Sequence, residues 1–294
     1  MPMYPELFKI GPFTVYSFGL MLGIAFILSS YLLTKEMERR KLSPNLATEV
    51  TLLAIIFGII GSKLFYLFEN WDLFINNPIG QAFSPGGLTF YGGLILAIIA
   101  IWIHVKRKNI PFLYIADAAS PSLAIAYGIG RIGCHLAGDG DYGIPTNLPW
   151  GTNYEHGTVP PSIMFRGTEI AKHYPGGIVP DNTPLHPTPI YEFLIMLLIF
   201  WILWSLRKKD WADGRLFMLY LILAGIERFS IEFIRLNDRL LFSLTEAQLI
   251  SVLLILIGSI GYYYFAYNKN VKKFVPLPLN TDSKKVKHNH HPKH

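Results

Sequence analysis

The chain has 294 residues, 51% hydrophobic and only 16% charged, with a net charge of +6 and a mean hydropathy of +0.35. A soluble domain carries about 25% charged residues; here the apolar residues gather in blocks of roughly the 20-residue length that crosses a bilayer, so a soluble globular domain is excluded. The positive charges form short clusters at the ends of those blocks, the pattern that sets membrane topology, which argues against a nucleic-acid partner.

In chain order, the predicted spans are 16–34, 48–68, 87–105, 112–130, 187–206, 214–234 and 245–267. Each is expected to be helical, because a backbone in hydrocarbon must satisfy its own N–H and C=O groups. The fold class expected is therefore an all-α integral membrane protein with about seven spans. The first fifteen residues hold one lysine, Lys9, and no positive segment before a small-residue cleavage site, so the first block is expected to stay as a span. Clusters KEMERRK (35–41), KRK (106–108) and RKK (207–209), with Lys269, Lys272 and Lys273, share one side, whereas the loop 70–86 has no lysine or arginine. The positive-inside rule then puts the C-terminus in the cytoplasm and the N-terminus outside. Residues 1–267 are expected to form one transmembrane domain that includes a small outer cap at 131–186, where prolines argue against a long helix. The tail 268–294, ending HNHHPKH, reads as basic and disordered. Cys134 is the single cysteine, so no internal disulfide or thiolate metal cluster is expected.

Ionisable residues inside spans are costly and are functional hypotheses by default. In GIERFSIEFIRLNDR (225–239), Arg228, Glu232 and Arg235 are spaced to share one helical face, with Glu227 beside it. Two readings stand: a salt-bridge ladder that holds helices together, or a basic site for an anionic group, for which arginine's flat, permanently charged fork suits phosphate. YGIGRIGCHLAGDGDYG (127–143) sets Arg131 among glycines, followed by Asp139 and Asp141. Arg131 is read either as snorkelling to headgroups or as part of a ligand site. In GGLTFYGG (86–93), Tyr91 precedes Gly92 and Gly93; it is either a belt tyrosine or a site residue. In HPTPIYE (186–192), His186 and Glu192 are either ligands or helix-start packing residues, and Lys63 is a lone cation whose best partner would be Glu69 or a lipid phosphate. All these patches except Lys63 lie near the outer ends of their spans, which predicts one cationic pocket, open toward lipid, for an anionic headgroup.

The segments VYSFGLMLG (15–23), the glycine pair 92–93, GRIG (130–133), HPTPIYE (186–192) and ERFSIEFIR (227–235) resemble bacterial prolipoprotein diacylglyceryl transferases. The resemblance covers nearly the whole chain. It implies an inner-membrane enzyme that moves the diacylglyceryl group of phosphatidylglycerol to the lipobox cysteine of a prolipoprotein signal peptide. A thioether forms and glycerol phosphate leaves, with no cofactor and no metal. It further implies that Arg131 and Arg228 contact the headgroup phosphate, that Tyr16 lies near the pocket, and that Asp139 takes the place of the signature's glutamate; Gly92, Gly93, Glu232 and Arg235 are expected beside them in the phosphatidylglycerol site.

Three positions depart from the family pattern. Tyr91 stands where the family often has a histidine before the glycine pair, Cys134-His135 where it often has asparagine and phenylalanine, and Lys63 where it often has arginine. The missing histidine is a favoured thiol activator, so His135, which titrates in the right range, or Tyr91 is expected to replace it. Cys134 reads as a small packing residue in a glycine-rich turn. The competing functions are a divergent paralogue with changed or lost transferase activity and a small-anion membrane transporter. The transporter would need interrupted helices in inverted repeats, and no such pair is visible.

Overall fold

The computed structural model describes residues 3–84, 86–237, 239–268 and 273–276. In chain order the elements are β1 (Glu6–Ile10), β2 (Phe13–Tyr16), α1 (Ser17–Arg39), α2 (Asn45–Glu69), α3 (Trp71–Asn76), α4 (Pro78–Ala82), α5 (Phe90–Arg107), α6 (Phe112–Ala137), α7 (Pro161–Met164), α8 (Thr188–Leu206), α9 (Arg215–Ile231), β3 (Arg239–Leu241), β4 (Leu244–Thr245) and α10 (Glu246–Tyr267). The protein is mostly helical, as its composition requires. Most of the tail predicted over 268–294 lies outside the described residues.

Among the described residues, six helices are long and apolar enough to cross a membrane: α1, α2, α5, α6, α8 and α10. The remaining predicted span, 214–234, is realised as the 17-residue α9, which at 1.5 Å per residue reaches about 25 Å. It stops at Ile231 because the following backbone pairs elsewhere. The Ile144 amide donates to the Ile234 carbonyl at 2.9 Å, and Arg235 forms an antiparallel bridge with Gly143. Arg235 therefore does not continue the helical face of Arg228 and Glu232, as its spacing predicts; it reaches the same neighbourhood from an extended segment.

The chain divides into two compact units: one made by residues up to Leu32 and from Ile110 to Lys273, the other by Leu33–Asn109 with the stretch from Phe274 onward. In the first unit, β1 and β2 form an antiparallel hairpin turned at Gly11, whose φ is +58°. The Ser17 amide then donates to the Pro5 carbonyl at 3.0 Å as α1 begins. The helix α6 is buried along most of its length. It packs on the first half of α1 through Ala25, Ile125 and Ile129, and on α8 through Ala124, Met196 and Ile199. Helices α9 and α10 approach closely because Gly225 faces Ile255 and Gly258 faces Ile222; a Cβ at either glycine would lie 2.8 Å from the facing isoleucine. Small residues at such contacts favour helix association in lipid.

Asp117, inside α6, is 4% exposed. Its carboxylate accepts the Gly214 and Phe217 amides, each at 2.7 Å. It thus caps the start of α9 from another helix, where the amides are unsatisfied and the dipole favours an anion. Gly138, with φ +58°, ends α6 by returning its amide to the Cys134 carbonyl at 2.9 Å. Residues 138–187 follow with their own core of Tyr142, Tyr154, Phe165, Ala171, Val179 and Leu185, joined by Met3. Prolines keep its helices short, and α7 has only four residues.

In the second unit, α2 packs against α5. A Cβ on Gly92 would sit 2.6 Å from the Gly61 carbonyl oxygen, and one on Gly93 2.6 Å from that of Gly58, so the glycine pair is what lets these two backbones meet. Lys63 does not pair with Glu69, as its sequence position suggests. Its Nζ donates to the Ser84 carbonyl at 2.9 Å, and to the Ser84 hydroxyl and the Gly86 carbonyl at 2.8 Å. Glu69 instead accepts the Thr89 hydroxyl at 2.7 Å. The lysine therefore straps the loop before α5. Glu49 on α2 pairs with His104 at 2.8 Å and with Lys108 at 2.9 Å.

Candidate functional site

Three arginines and three carboxylates of the first unit form one ion-paired network. Arg131 projects from α6, Glu192 from the first turns of α8, and Arg228 from α9. Glu232 and Arg235 follow the end of α9, and Asp141 comes from the segment after α6. Glu192 is the hub. Its side chain is 0% exposed, and it is the only acid or base within α8. One oxygen takes Arg131 Nε and the Tyr127 hydroxyl, the latter at 3.1 Å. The other takes Arg235 Nη1 at 3.3 Å and faces Arg228 Nη1 at 3.7 Å.

Asp141 is the second bridging acid. Its Oδ2 accepts from Arg131 Nη1 and its Oδ1 from Arg235 Nη2. Arg131 also donates through Nη2 to the Tyr127 hydroxyl at 2.9 Å. Arg228 pairs with Glu232 at 3.0 Å through Nη2, while its buried Nη1 makes no hydrogen bond among the described residues. Glu227, 4% exposed on α9, makes none through Oε1. Asn237 donates to Glu232 and holds it from the far side.

The spacing-based expectation of one cationic pocket is therefore revised: each arginine already has a carboxylate, so the site is charge-compensated. The network brings together Arg131, Asp141, Glu192, Arg228, Glu232 and Arg235, six residues singled out from sequence. Glu192 as its centre was not legible, although a single acid in an otherwise apolar 19-residue helix is a signal by itself. Tyr127 and Arg131, four residues apart on one helix, carried a weaker one.

Burial disfavours ionised Asp141, but Arg235 and Arg131 outweigh it and hold its carboxyl down to about 2. Asp139 goes the other way: burial, helped by the neighbouring Asp141 charge, pushes its carboxyl above the ordinary value. Asp139 lies beside Cys134, and the ligand atoms of Cys134, Asp139 and Asp141 fall within 4.8 Å of one another. These are the residues best arranged for a cation, yet both Asp141 oxygens are engaged by arginines, whose charge opposes one.

The other residues expected from sequence are not among these six. His135, buried in the last turns of α6, has Nδ1 2.9 Å from the Tyr154 hydroxyl, with the two rings edge to face at 5.6 Å. It is thus built into the core of the 138–187 segment. Tyr16 is exposed at the end of β2. His186 meets the Tyr191 hydroxyl at 3.2 Å, and Trp150 donates to that hydroxyl at 2.8 Å. Tyr91, Gly92 and Gly93 belong to the second unit.

Comparison with known proteins gives the family of the chain. The family model for prolipoprotein diacylglyceryl transferase matches residues 5–264. The chain is 35% identical over 258 residues to the phosphatidylglycerol–prolipoprotein diacylglyceryl transferase of Clostridium tetani, covering 87% of this chain and 95% of that protein. It is 33% identical over 264 residues to the enzyme of that name from Leptospira interrogans, covering 80% and 76% of the two chains. It is 31% identical over 256 residues to the one from Clostridioides difficile, covering 86% and 92%. A match over nearly its whole length and relatives above 30% identity show that the chain belongs to the prolipoprotein diacylglyceryl transferase family.

Proposed function

We propose that this protein transfers the diacylglyceryl group of phosphatidylglycerol to the lipobox cysteine of a prolipoprotein, and that the arginine network binds the headgroup phosphate. The observation that carries the phosphate assignment is Arg228: its Nη1 has no hydrogen bond among the described residues, while Arg131 and Arg235 are held beside it by one fully buried acid. Donors fixed before the reaction, in a site shielded from water, stabilise growing negative charge without further rearrangement. In the step itself the cysteine sulfur bonds to the glyceryl carbon as its bond to the phosphate oxygen breaks. The electron pair stays with the phosphate, and glycerol phosphate leaves.

The thiol must also lose its proton. Tyr91, His135 and Asp139 are the candidates. We favour Asp139, because burial and the Asp141 charge make its carboxylate a better base than an ordinary one. His135, joined to Tyr154, serves in this reading to hold the 138–187 segment in place. Tyr16 is assigned to the lipid path. The enzyme is assigned to the bacterial inner membrane with its N-terminus outside and its C-terminus in the cytoplasm, which puts the network near the outer leaflet.

The test uses purified protein in phosphatidylglycerol vesicles with a lipobox peptide, and reads the peptide's mass. A diacylglyceryl adduct is expected, and Arg228→Ala is expected to abolish it. No adduct under conditions where a known transferase works would sink the proposal, and full activity in the variant would remove Arg228 from the mechanism.

A further inference from the structure

The two acids that bridge the arginines differ in how firmly they are held. Glu192 is fully buried on a long helix and faces three guanidinium groups. Removing it from them would leave uncompensated charge in a dry interior. Asp141 lies in an irregular segment next to Gly140, whose φ of +92° is open to glycine without strain. At 28% its side chain is the most exposed of the ion-paired groups, so it can turn to solvent without burying a charge.

We propose that Asp141 holds the anion position between Arg131 and Arg235, and that a headgroup phosphate binds there by displacing it. The proposal rests on the phosphatidylglycerol reading above and specifies how that site takes its ligand. The geometry matches. Each Asp141 oxygen accepts from a different arginine, and the two free oxygens of a phosphodiester offer the same two-point pattern. Charge argues for exchange rather than addition. Arg131, Arg228 and Arg235 are paired three for three with Asp141, Glu192 and Glu232. Glu227, also buried, adds no positive charge to spare. A phosphate entering beside all these carboxylates would be an uncompensated charge in a low-dielectric site. One entering as Asp141 leaves conserves the balance, and Arg228 Nη1 remains as a further donor. The same exchange works in reverse on the product, since the returning carboxylate competes with glycerol phosphate for both arginines and helps to expel it.

The experiment compares wild type, Asp141→Asn and Asp141→Glu in phosphatidylglycerol nanodiscs, measuring KM, kcat and inhibition by glycerol 1-phosphate. Binding of glycerol 1-phosphate is also read from the thermal shift, which needs no turnover. Removing the competing charge is expected to lower both KM and the inhibition constant about tenfold or more, which corresponds to ~1.4 kcal/mol. kcat should fall as product leaves more slowly. Asp141→Glu keeps the competing charge, so its affinity for glycerol 1-phosphate should not rise as that of Asp141→Asn does. A folded Asp141→Asn with unchanged or weaker affinity overturns the proposal. If that variant does not fold, hydrogen exchange on the wild type decides: glycerol 1-phosphate should raise exchange at residues 139–142, and increased protection there overturns the idea. Tighter product binding by Asp141→Asn together with no transfer by the wild type would sink the transferase reading and leave the exchange standing. Normal transfer without tighter binding would do the reverse.

Discussion

Asp117 and Glu192 lie near opposite ends of α6, and both are nearly or fully excluded from solvent, at 4% and 0% exposure. Their partners differ. Asp117 takes two backbone amides of the α9 start, whereas Glu192 takes guanidinium groups from three separate stretches of chain. The amides at a helix start are held in place by the backbone, and Asp117 satisfies two of them from within the core, as a structural cap does. Guanidinium groups carry full charge and can exchange anions, which is what the binding role proposed for the Glu192 network requires. The arginines follow the same division. Near the Asp117 end, Arg215 rests between Trp211 and Tyr262, 4.5 and 4.6 Å from their ring centres, as an interfacial anchor would. Arg131, also above a ring, that of Tyr127 at 4.9 Å, has two acids as well. Burial of an acid inside a membrane protein thus does not by itself mark a site; the chemistry of its partners does.

The sharpest break in this comparison is Glu192→Ala. It leaves three arginines short of their shared counter-ion, and losing one partner of a buried ionic network costs roughly 3–5 kcal/mol. Both thermal stability and transfer to the lipobox peptide should collapse, with Glu192→Gln intermediate in stability. Full activity in the alanine variant would show that the network is not the site.

Asp117→Ala should cost less. It strands two amides and removes a helix cap, together about 2–3 kcal/mol. Transfer per folded molecule should stay at the wild-type level. A large drop in kcat with stability intact would overturn the structural reading of this acid.

The smallest effect on stability is expected at Asp139. Its folded carboxyl lies above the ordinary value, so ionising it opposes folding. That penalty is absent where both states are protonated, and is fully present above the folded pKa. Asp139→Asn should therefore leave the melting temperature unchanged or slightly raised at neutral pH, with the difference fading in acid. Its activity should fall by roughly 10² to 10⁴, as loss of a general base does. The acid limb of the wild-type rate profile should lie above the usual carboxylate range and vanish in the variant. A limb that persists would point to His135 or Tyr91 as the proton acceptor. Asp141 has the opposite sign. Held down to about 2, it contributes stability that is present above the ordinary carboxylate pKa and is lost only as pH falls through about 2.

Much of this was legible from residue order. Runs of apolar residues are local, so the helices could be read before any contact was known, and Arg131 and Arg228 stood out because arginine is costly in such runs. The errors were all non-local. Lys63 was matched to Glu69 or a lipid phosphate because its acceptors, at Ser84 and Gly86, lie 21 and 23 residues away. The predicted continuation of α9 past Ile231 failed because residues 143–144 capture the backbone at 234–235. The contact of His135 with the Tyr154 hydroxyl, 19 residues away, was likewise invisible in the sequence.

By itself, then, the sequence determined that this chain lives in a membrane, which segments become helices, and which charges must find partners there. Those outcomes depend on hydrophobicity and on backbone hydrogen bonding within a segment. Which carboxylate each charge finds was decided only by the tertiary structure. Glu192 became the centre of the arginines because α6, α8 and the end of α9 meet there, and Asp117 became a cap because α9 begins beside it. Pairing depends on distance in space, and residues 61 to 100 positions apart, such as Arg131 and Glu192 or Asp117 and Phe217, carry no local signal of it.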